Sequence, residues 1–216
     1  MTVLATLPLL PRDAVEHIAA DAVLLPAFAV EEAPVLWQQV QSIAAHAPWR
    51  HMVTPGGFTM SVAMTNCGKV GWVTDRQGYR YDALDPESGR PWPAMPPAMQ
   101  ALAVRAARTA GFAHFEADAC LINRYVPGSR LSCHQDRNER DLRAPVVSVS
   151  LGLPAVFLFG GPRRRDPIQR HPLAHGDVVV WGGRQRLAYH GVAKLASGEH
   201  PLTGPCRVNL TFRQAL

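Results

Sequence analysis

The 216 residues suit one large domain or a core with an insert. Their balance of 47% hydrophobic and 18% charged residues is that of a globular chain able to bury a substantial core. A formal charge of +5 and a pI near 9.4 suit an acidic partner such as nucleic acid without demanding one. The longest apolar run, near Ala22–Val30, is too short to span a membrane, and no basic region precedes the first apolar residues as in a secretory signal.

Residues 1–20 show no clear periodicity and read as an arm, followed by a first strand over Ala22–Val30. Glu31-Glu32-Ala33-Pro34 predicts a helix start, with acidic residues in the first turn and proline near its first position. Leu36, Val40, Ile43 and Ala47 follow at helical spacing and Pro48 ends the run, giving a helix that buttresses a sheet. Trp49–Cys67 reads as a hairpin turning at Pro55-Gly56-Gly57, with Phe58, Met60, Val62 and Met64 on one face. Gly68–Trp92 has no core-like run. Its Trp72, Tyr79 and Tyr81 lie among Arg76 and Arg80, a mixture that suits stacking on bases and gripping phosphates but equally describes a partly packed loop.

Pro97–Ala110 predicts a second helix, with Met99, Leu102, Ala103 and Ala106 on one side and Gly111 just past its end. From Asp118 the pattern changes to short strands: Ala119–Tyr125, Val146–Leu151, Ala155–Phe159, Val178–Trp181, Tyr189–Val192 and Arg207–Phe212. That series implies a β-sandwich or jelly roll, so the expected class is mostly β with flanking helices. Cys67, Cys120, Cys133 and Cys206 show no C-x-x-C spacing, which predicts reduced thiols of a cytoplasmic protein rather than a disulfide framework or zinc site.

Two H-x-D sequences occur. His175-Gly176-Asp177 runs into Val178-Val179-Val180-Trp181 and reads as a tight turn feeding a buried strand. His134-Gln135-Asp136 sits among polar neighbours, as the mouth of a cavity requires. In an extended chain its imidazole and carboxylate share one side. A second imidazole, for which His190 is the candidate, would complete a two-His-one-carboxylate triad, which leaves coordination positions open and marks non-haem Fe(II) oxygenases. The last strand alternates without error. Val208, Leu210 and Phe212 face one way, and Arg207, Asn209, Thr211 and Arg213 the other. Two arginines and an amide on a half-buried face call for a dicarboxylate, unless that face is simply solvated.

Several spaced motifs in order now carry a resemblance: Asn123-Arg124-Tyr125 with Pro127-Gly128, His134-Gln135-Asp136, Ser148-Val149-Ser150-Leu151-Gly152, His175 to Trp181, Tyr189-His190-Gly191 and Arg207 to Arg213. Together with Met52–Gly57 and Met60–Trp72, they resemble the AlkB family of Fe(II)/2-oxoglutarate-dependent nucleic-acid repair dioxygenases, bacterial members in particular, from about Pro48 to Arg213. The resemblance implies a double-stranded β-helix core with an N-terminal nucleotide-recognition lid. It divides one domain into an arm and buttressing helix (1–48), the lid (49–92), and a second helix with the dioxygenase core (93–216). It implies oxidative demethylation of 1-methyladenine- and 3-methylcytosine-type bases in single-stranded DNA, with double-stranded DNA or RNA as further substrates, by a cytoplasmic monomer. Fe(II), 2-oxoglutarate and O2 are consumed or used, and succinate, CO2 and formaldehyde are released.

The resemblance also assigns residues. His134, Asp136 and His190 hold the metal. Leu121, Asn123, Arg124, Tyr125, Leu131, Ser148, Arg207, Asn209 and Arg213 surround 2-oxoglutarate, with the two arginines neutralising its carboxylates in an order the sequence leaves open. Met64, Trp72, Tyr79, Arg80, Tyr81, Asn138 and Arg164 meet the extruded base, Trp72 by stacking opposite His134. Thr54, Arg130, Ser132, Gln135 and Arg137 are candidates for the nucleic-acid backbone. One departure stands out: the family carries an acid where this chain has Asn138. An amide keeps an acceptor for the exocyclic amine but loses the charge that complements a cationic lesion, so weaker discrimination is expected, with Glu139 as a partial substitute. Two rivals stay open at this level. One is a hydroxylase of the same kind acting on a peptide or small molecule, the other a non-catalytic nucleic-acid-binding barrel with structural histidines.

Overall fold

This computed structural model describes residues 15–216, so residues 1–14 of the expected arm lie outside the described residues. The rest of that arm is not irregular. It forms strand β1 (Glu16–Ala19), which pairs antiparallel with β2 (Ala22–Leu25). The strand expected to reach Val30 stops at Leu25, because Pro26 follows and Ala27 turns into the left-handed region at φ 54°. That turn is held by Asp177, whose carboxylate accepts the Ala27 N–H at 2.9 Å.

Helix α1 (Ala33–His46) buries Leu36, Val40 and Ile43, and proline occupies its first turn, where no N–H is needed. The acidic residues fall just before the first turn rather than within it. Glu32 sits at the N-cap without capping, and its carboxylate pairs with Arg105. The expected hairpin over 49–67 is a true strand only at β3 (Ala63–Gly68); the remainder makes isolated bridges, Arg50 to Met64 and Val53 to Thr59. Its alternation also fails at the outer end. Val62 and Met64 are buried, but Phe58 is 77% exposed.

The stretch that showed no core-like run forms β4 (Gly71–Asp75) and β5 (Gly78–Asp82), a separate two-stranded sheet with Val73 buried beneath it. Helix α2 (Pro97–Thr109) ends as expected. Gly111 at φ 91° lets the Gly111 N–H donate to Arg108 and the Phe112 N–H to Ala107.

The remaining strands are β6 (Ala119–Tyr125), β7 (Leu131–His134), β8 (Val146–Gly152), β9 (Ala155–Phe159), β10 (Gln169–Leu173), β11 (Val178–Trp181), β12 (His190–Val192) and β13 (Arg207–Arg213). Strands β7 and β10 had no apolar alternation to reveal them. The first is short and polar, and the second is a proline-containing edge strand.

A seven-stranded sheet in the order β1-β2-β11-β8-β13-β6-β3 and a four-stranded sheet in the order β10-β9-β12-β7 make up the mostly β, jelly-roll-like architecture. On the outer face of the large sheet, Ile122, Val149, Leu151, Val208, Leu210 and Phe212 pack with Leu36, Val40 and Ile43 of α1 and Met99, Leu102 and Ala106 of α2. Burying each such leucine or phenylalanine contributes about 1.5–3 kcal/mol. The apolar half of β13 therefore faces the helices, and Arg207, Asn209, Thr211 and Arg213 are left on its inner face.

Candidate functional site

Strands β7 and β12 of the smaller sheet are antiparallel neighbours, with His134 and His190 as direct partners in register. Their ring centroids are 4.5 Å apart. Gly191 permits this approach, since a Cβ there would lie 2.5 Å from the Leu131 carbonyl oxygen. Asp136 completes the group: its Oδ1 lies 3.5 Å from His134 Nε2 and its Oδ2 3.6 Å from His190 Nε2. One ligand atom from each of the three falls within 4.8 Å of the others, the one such group among the described residues.

Both rings are held by their far nitrogens. His134 Nδ1 lies 2.9 Å from the Ser132 carbonyl oxygen and His190 Nδ1 3.0 Å from that of Ala188. A carbonyl only accepts, so each Nδ1 carries a proton and each Nε2 faces Asp136. Burial disfavours the charged form of His134, but Asp136 and the Ser132 carbonyl outweigh it and raise its pKa. Burial and then the neighbouring His134 lower the pKa of His190 to about 4, which keeps it neutral and ready to ligate. Burial alone would raise the Asp136 carboxyl. Arg213, His190 and His134 outweigh it and hold the group well below the usual range. Two imidazoles and a carboxylate form the donor set of a divalent cation.

The two arginines of β13 are placed differently. Arg213 donates to Asp136 Oδ2 at 2.7 and 3.1 Å and lies 3.3 Å from Glu139. Arg207 is 1% exposed, its ring-facing side 5.1 Å from Tyr125, and it donates to Ser150 Oγ at 2.8 Å. Its Nε and second terminal nitrogen have no hydrogen-bond partner among the described residues. Burial lowers its pKa, with Tyr125 opposing. A buried guanidinium with two idle donors calls for an anion. Beside it, Asn209 donates to Ser148 Oγ at 2.8 Å and accepts from Thr211 and Asn123, while Asn123 Oδ1 also lacks a partner among the described residues. Leu121, Tyr125, Leu131 and Met64 form an apolar wall. The residues present thus fit both a metal and a carboxylate-bearing cosubstrate.

Other expected positions separate. Arg124 lies on the opposite face of β6 from Asn123 and Tyr125, stacked 4.9 Å from Trp49, and is removed from the cosubstrate set. Strand alternation dictates this. Met64, expected at the base, is 1% exposed and belongs to the wall. Arg80 is neutralised within its own hairpin by Asp75 at 2.9 Å and Asp82 at 3.4 Å. Gln135 donates to the carbonyls of Pro162 and Leu187, which ties it to two loops rather than leaving it for a phosphate. Ser132 serves through its carbonyl on His134.

Trp72 and Tyr79 stack at 5.8 Å on the β4–β5 hairpin, and Tyr79 is 49% exposed. Asn138 accepts from the Trp72 indole and donates to the Tyr79 carbonyl, both at 3.4 Å. Arg164 is exposed and lies 5.1 Å over the Tyr189 ring, whereas Arg130 and Arg137 are exposed on either side of His134. Thr54 shapes its turn by accepting the Phe58 N–H.

Glu139 is not a spare base contact. It is 7% exposed, accepts the Tyr81 hydroxyl at 2.6 Å and pairs with Arg186 at 3.0 Å. Tyr81 is thereby engaged, and its pKa is pushed well up, mainly by burial. Neither Glu139 nor Arg186 carries a sequence signal beyond lying in polar stretches near the two histidines. His175-Gly176-Asp177 forms the expected turn: Asp177 is 1% exposed, and His175 Nδ1 accepts the Gly152 N–H at 3.0 Å.

Comparison with known proteins agrees with this geometry. Residues 21–213 match the 2OG-Fe(II) oxygenase superfamily. The chain is 60% identical over 200 residues, 93% of each chain, to the alpha-ketoglutarate-dependent dioxygenase AlkB of Escherichia coli (strain K12). It is 46% identical over 181 residues, 83% of this chain and 80% of the other, to the AlkB homolog of Caulobacter vibrioides (strain NA1000 / CB15N). The solved structure of OsALKBH1 superimposes with a TM-score of 0.81 at 27% identity, covering 93% of this chain and all of that one. With a two-His-one-carboxylate cluster beside a buried, anion-seeking arginine, this chain belongs to the AlkB family of 2OG-Fe(II) oxygenases and is an Fe(II)- and 2-oxoglutarate-dependent dioxygenase.

Proposed function

We propose that the enzyme removes methyl groups from 1-methyladenine- and 3-methylcytosine-type bases in single-stranded DNA, as direct-reversal alkylation repair. Oxidative dealkylation of methylated bases is the reaction class that AlkB membership supports. The observation that carries the reading is the convergence of His134, Asp136 and His190 next to Arg207 with its two unpaired nitrogens.

In this reading the two Nε2 atoms and the Asp136 carboxylate hold Fe(II), and Arg213 fixes the aspartate while leaving Oδ1 free of its grip. Arg207 takes a cosubstrate carboxylate, with Asn123, Tyr125, Asn209 and Ser148 lining the approach and Leu121 and Leu131 excluding water. Fe(II), 2-oxoglutarate and O2 supply the oxidising chemistry, releasing succinate and CO2 and, from the methyl carbon, formaldehyde. The chain's own contribution is binding, orientation and dryness.

We assign residues 49–92 as the lid. Trp72 and Tyr79 offer π-faces for an unstacked base, at about 1–3 kcal/mol per stacked base, which offsets the few kcal/mol (roughly) that extrusion costs. Arg130, Arg137 and Arg164 are exposed cations for the phosphates. Asn138 meets the hairpin through an uncharged amide, so discrimination in favour of cationic lesions is weak. Asn138→Asp should raise the turnover of 3-methylcytosine relative to neutral etheno lesions, and an unchanged ratio would discard that assignment. We place the enzyme in the cytoplasm, a reading that its four free cysteines support, and take it to act as a monomer.

The test is mass spectrometry of a methylated single-stranded oligonucleotide incubated with Fe(II), 2-oxoglutarate and oxygen. The expected result is loss of one methyl group per lesion that requires all three additions. An RNA oligonucleotide in parallel ranks the two nucleic acids.

A further inference from the structure

His134 to Asp136 and His190 are more than 50 residues apart, and hydrogen bonds along β7 and β12 fix only the two histidines relative to each other. Asp136 lies past the end of β7, in a segment from Gln135 to Pro145 with no regular structure before β8. Something else must hold it. Arg213 holds its carboxylate, and the short turn after β11 holds its main chain through Arg186, which is 3% exposed.

Its guanidinium donates to the Asp136 carbonyl at 2.7 Å and to the Ala144 carbonyl at 2.9 Å, and pairs with the Glu139 carboxylate at 3.0 Å. Three acceptors, at the start, middle and end of the irregular segment, thus converge on one rigid fork. The same turn holds both flanks. The Leu187 carbonyl accepts from Gln135 at 2.6 Å, and the Ala188 carbonyl fixes the His190 ring.

We infer that Arg186 is a positioning residue of the metal centre: by gripping the backbone of Asp136, and the segment behind it through Glu139 and Ala144, it sets the aspartate opposite the two histidines. It touches none of the reacting atoms. Its role differs from that of Arg213, which holds the Asp136 carboxylate, because Arg186 holds the main chain from which that carboxylate projects. A lysine cannot replace it, since one ammonium on a flexible stem cannot serve three acceptors fixed in different directions. The inference rests on the assignment of His134, Asp136 and His190 as metal ligands, not on the identity of the substrate.

The experiment measures binding of Mn(II) alone to the purified full chain by electron paramagnetic resonance, together with the visible spectrum of the Co(II)-loaded protein under anaerobic conditions. Arg186→Lys is expected to weaken Mn(II) about 10–100-fold, the range seen when groups that orient metal ligands are removed, and to change the Co(II) band shape. Loss of a buried cation could instead unfold the chain. A second variant, Arg186→Met with Glu139→Gln, removes both charges together and keeps the volume. It too should lose at least about tenfold in Mn(II) affinity while unfolding cooperatively. Wild-type Mn(II) affinity and Co(II) spectrum in the folded double variant would overturn the inference. No nucleic acid enters this test. A wild type that binds Mn(II) but never demethylates an oligonucleotide would count against the proposed function and leave Arg186 its role.

Discussion

Arg207 and Arg213 stand at opposite ends of one strand, on the same face, and both are buried, yet the protein treats them as opposites. Arg213 is answered from within, by Asp136 and Glu139, and its pKa is raised by those carboxylates against the effect of burial. Arg207 has a serine, an aromatic ring and two idle nitrogens, and burial lowers its pKa. A folded chain tolerates an uncompensated buried cation only where something outside the chain completes it. One end of the strand is therefore part of the scaffold around the metal ligands. The other is left open to an anion, the role proposed above for the cosubstrate carboxylate.

Perturbing the two ends should separate these roles. The largest effect is expected where the internal pair meets the metal. Asp136→Asn removes both a ligand and the anion that answers Arg213, and should abolish succinate formation. Next, Arg213→Met should destabilise the chain by about 3–5 kcal/mol in denaturant titrations, because it strands the buried Asp136 carboxylate, whereas Arg207→Met should leave the unliganded protein as stable or more so. Equal losses at both ends would break the comparison.

In steady-state assays, Arg207→Met should raise the KM for 2-oxoglutarate about 10–100-fold, from the roughly 1.5–3 kcal/mol of hydrogen bonds to a charged group. Smaller again, Trp72→Ala should raise the KM for a methylated oligonucleotide about tenfold, since it removes stacking worth roughly 1–3 kcal/mol, while succinate continues to form without demethylation. A peptide or small-molecule hydroxylase would instead be indifferent to the Trp72 change.

The smallest effect is a control at an ion pair that contacts neither the metal ligands nor the residues around the cosubstrate. Arg50 lies against Asp85 and lowers its pKa from 3.8 to about 2, with burial opposing and the Glu87 N–H and the Ser88 hydroxyl assisting Arg50. A depressed carboxyl stabilises the fold fully above its unfolded value near 3.8, and that contribution fades as pH falls through 2. The thermal stability of the wild type should therefore fall between about pH 4 and 2. Asp85→Asn should flatten that limb without altering the binding of 2-oxoglutarate.

Much of this was legible beforehand because periodicity reports burial. The perfect alternation of Arg207 to Arg213 separated the helix-facing residues from the site-facing ones, and the polar setting of His134-Gln135-Asp136 against the apolar run after Asp177 distinguished ligand from turn. Where periodicity is absent the reading failed. The hairpin of Trp72 and Tyr79 and the short strand holding His134 were not visible as strands. Arg124 is a different case: the alternation of its strand already set it on the face opposite Asn123 and Tyr125, and only the resemblance had placed it with them.

The amino-acid sequence by itself determined which residue types were available for the chemistry, which faces of the strands and helices would be buried, and the family to which the chain belongs. Only the tertiary structure decided partnership. That Arg213 is saturated and Arg207 is not, that Glu139 faces Tyr81 and Arg186 rather than a base, and that Arg186 reaches the Asp136 carbonyl are facts about distance. Hydrogen bonds and ion pairs depend on separations of a few ångströms between side chains remote in the chain, and local periodicity carries no information about those separations.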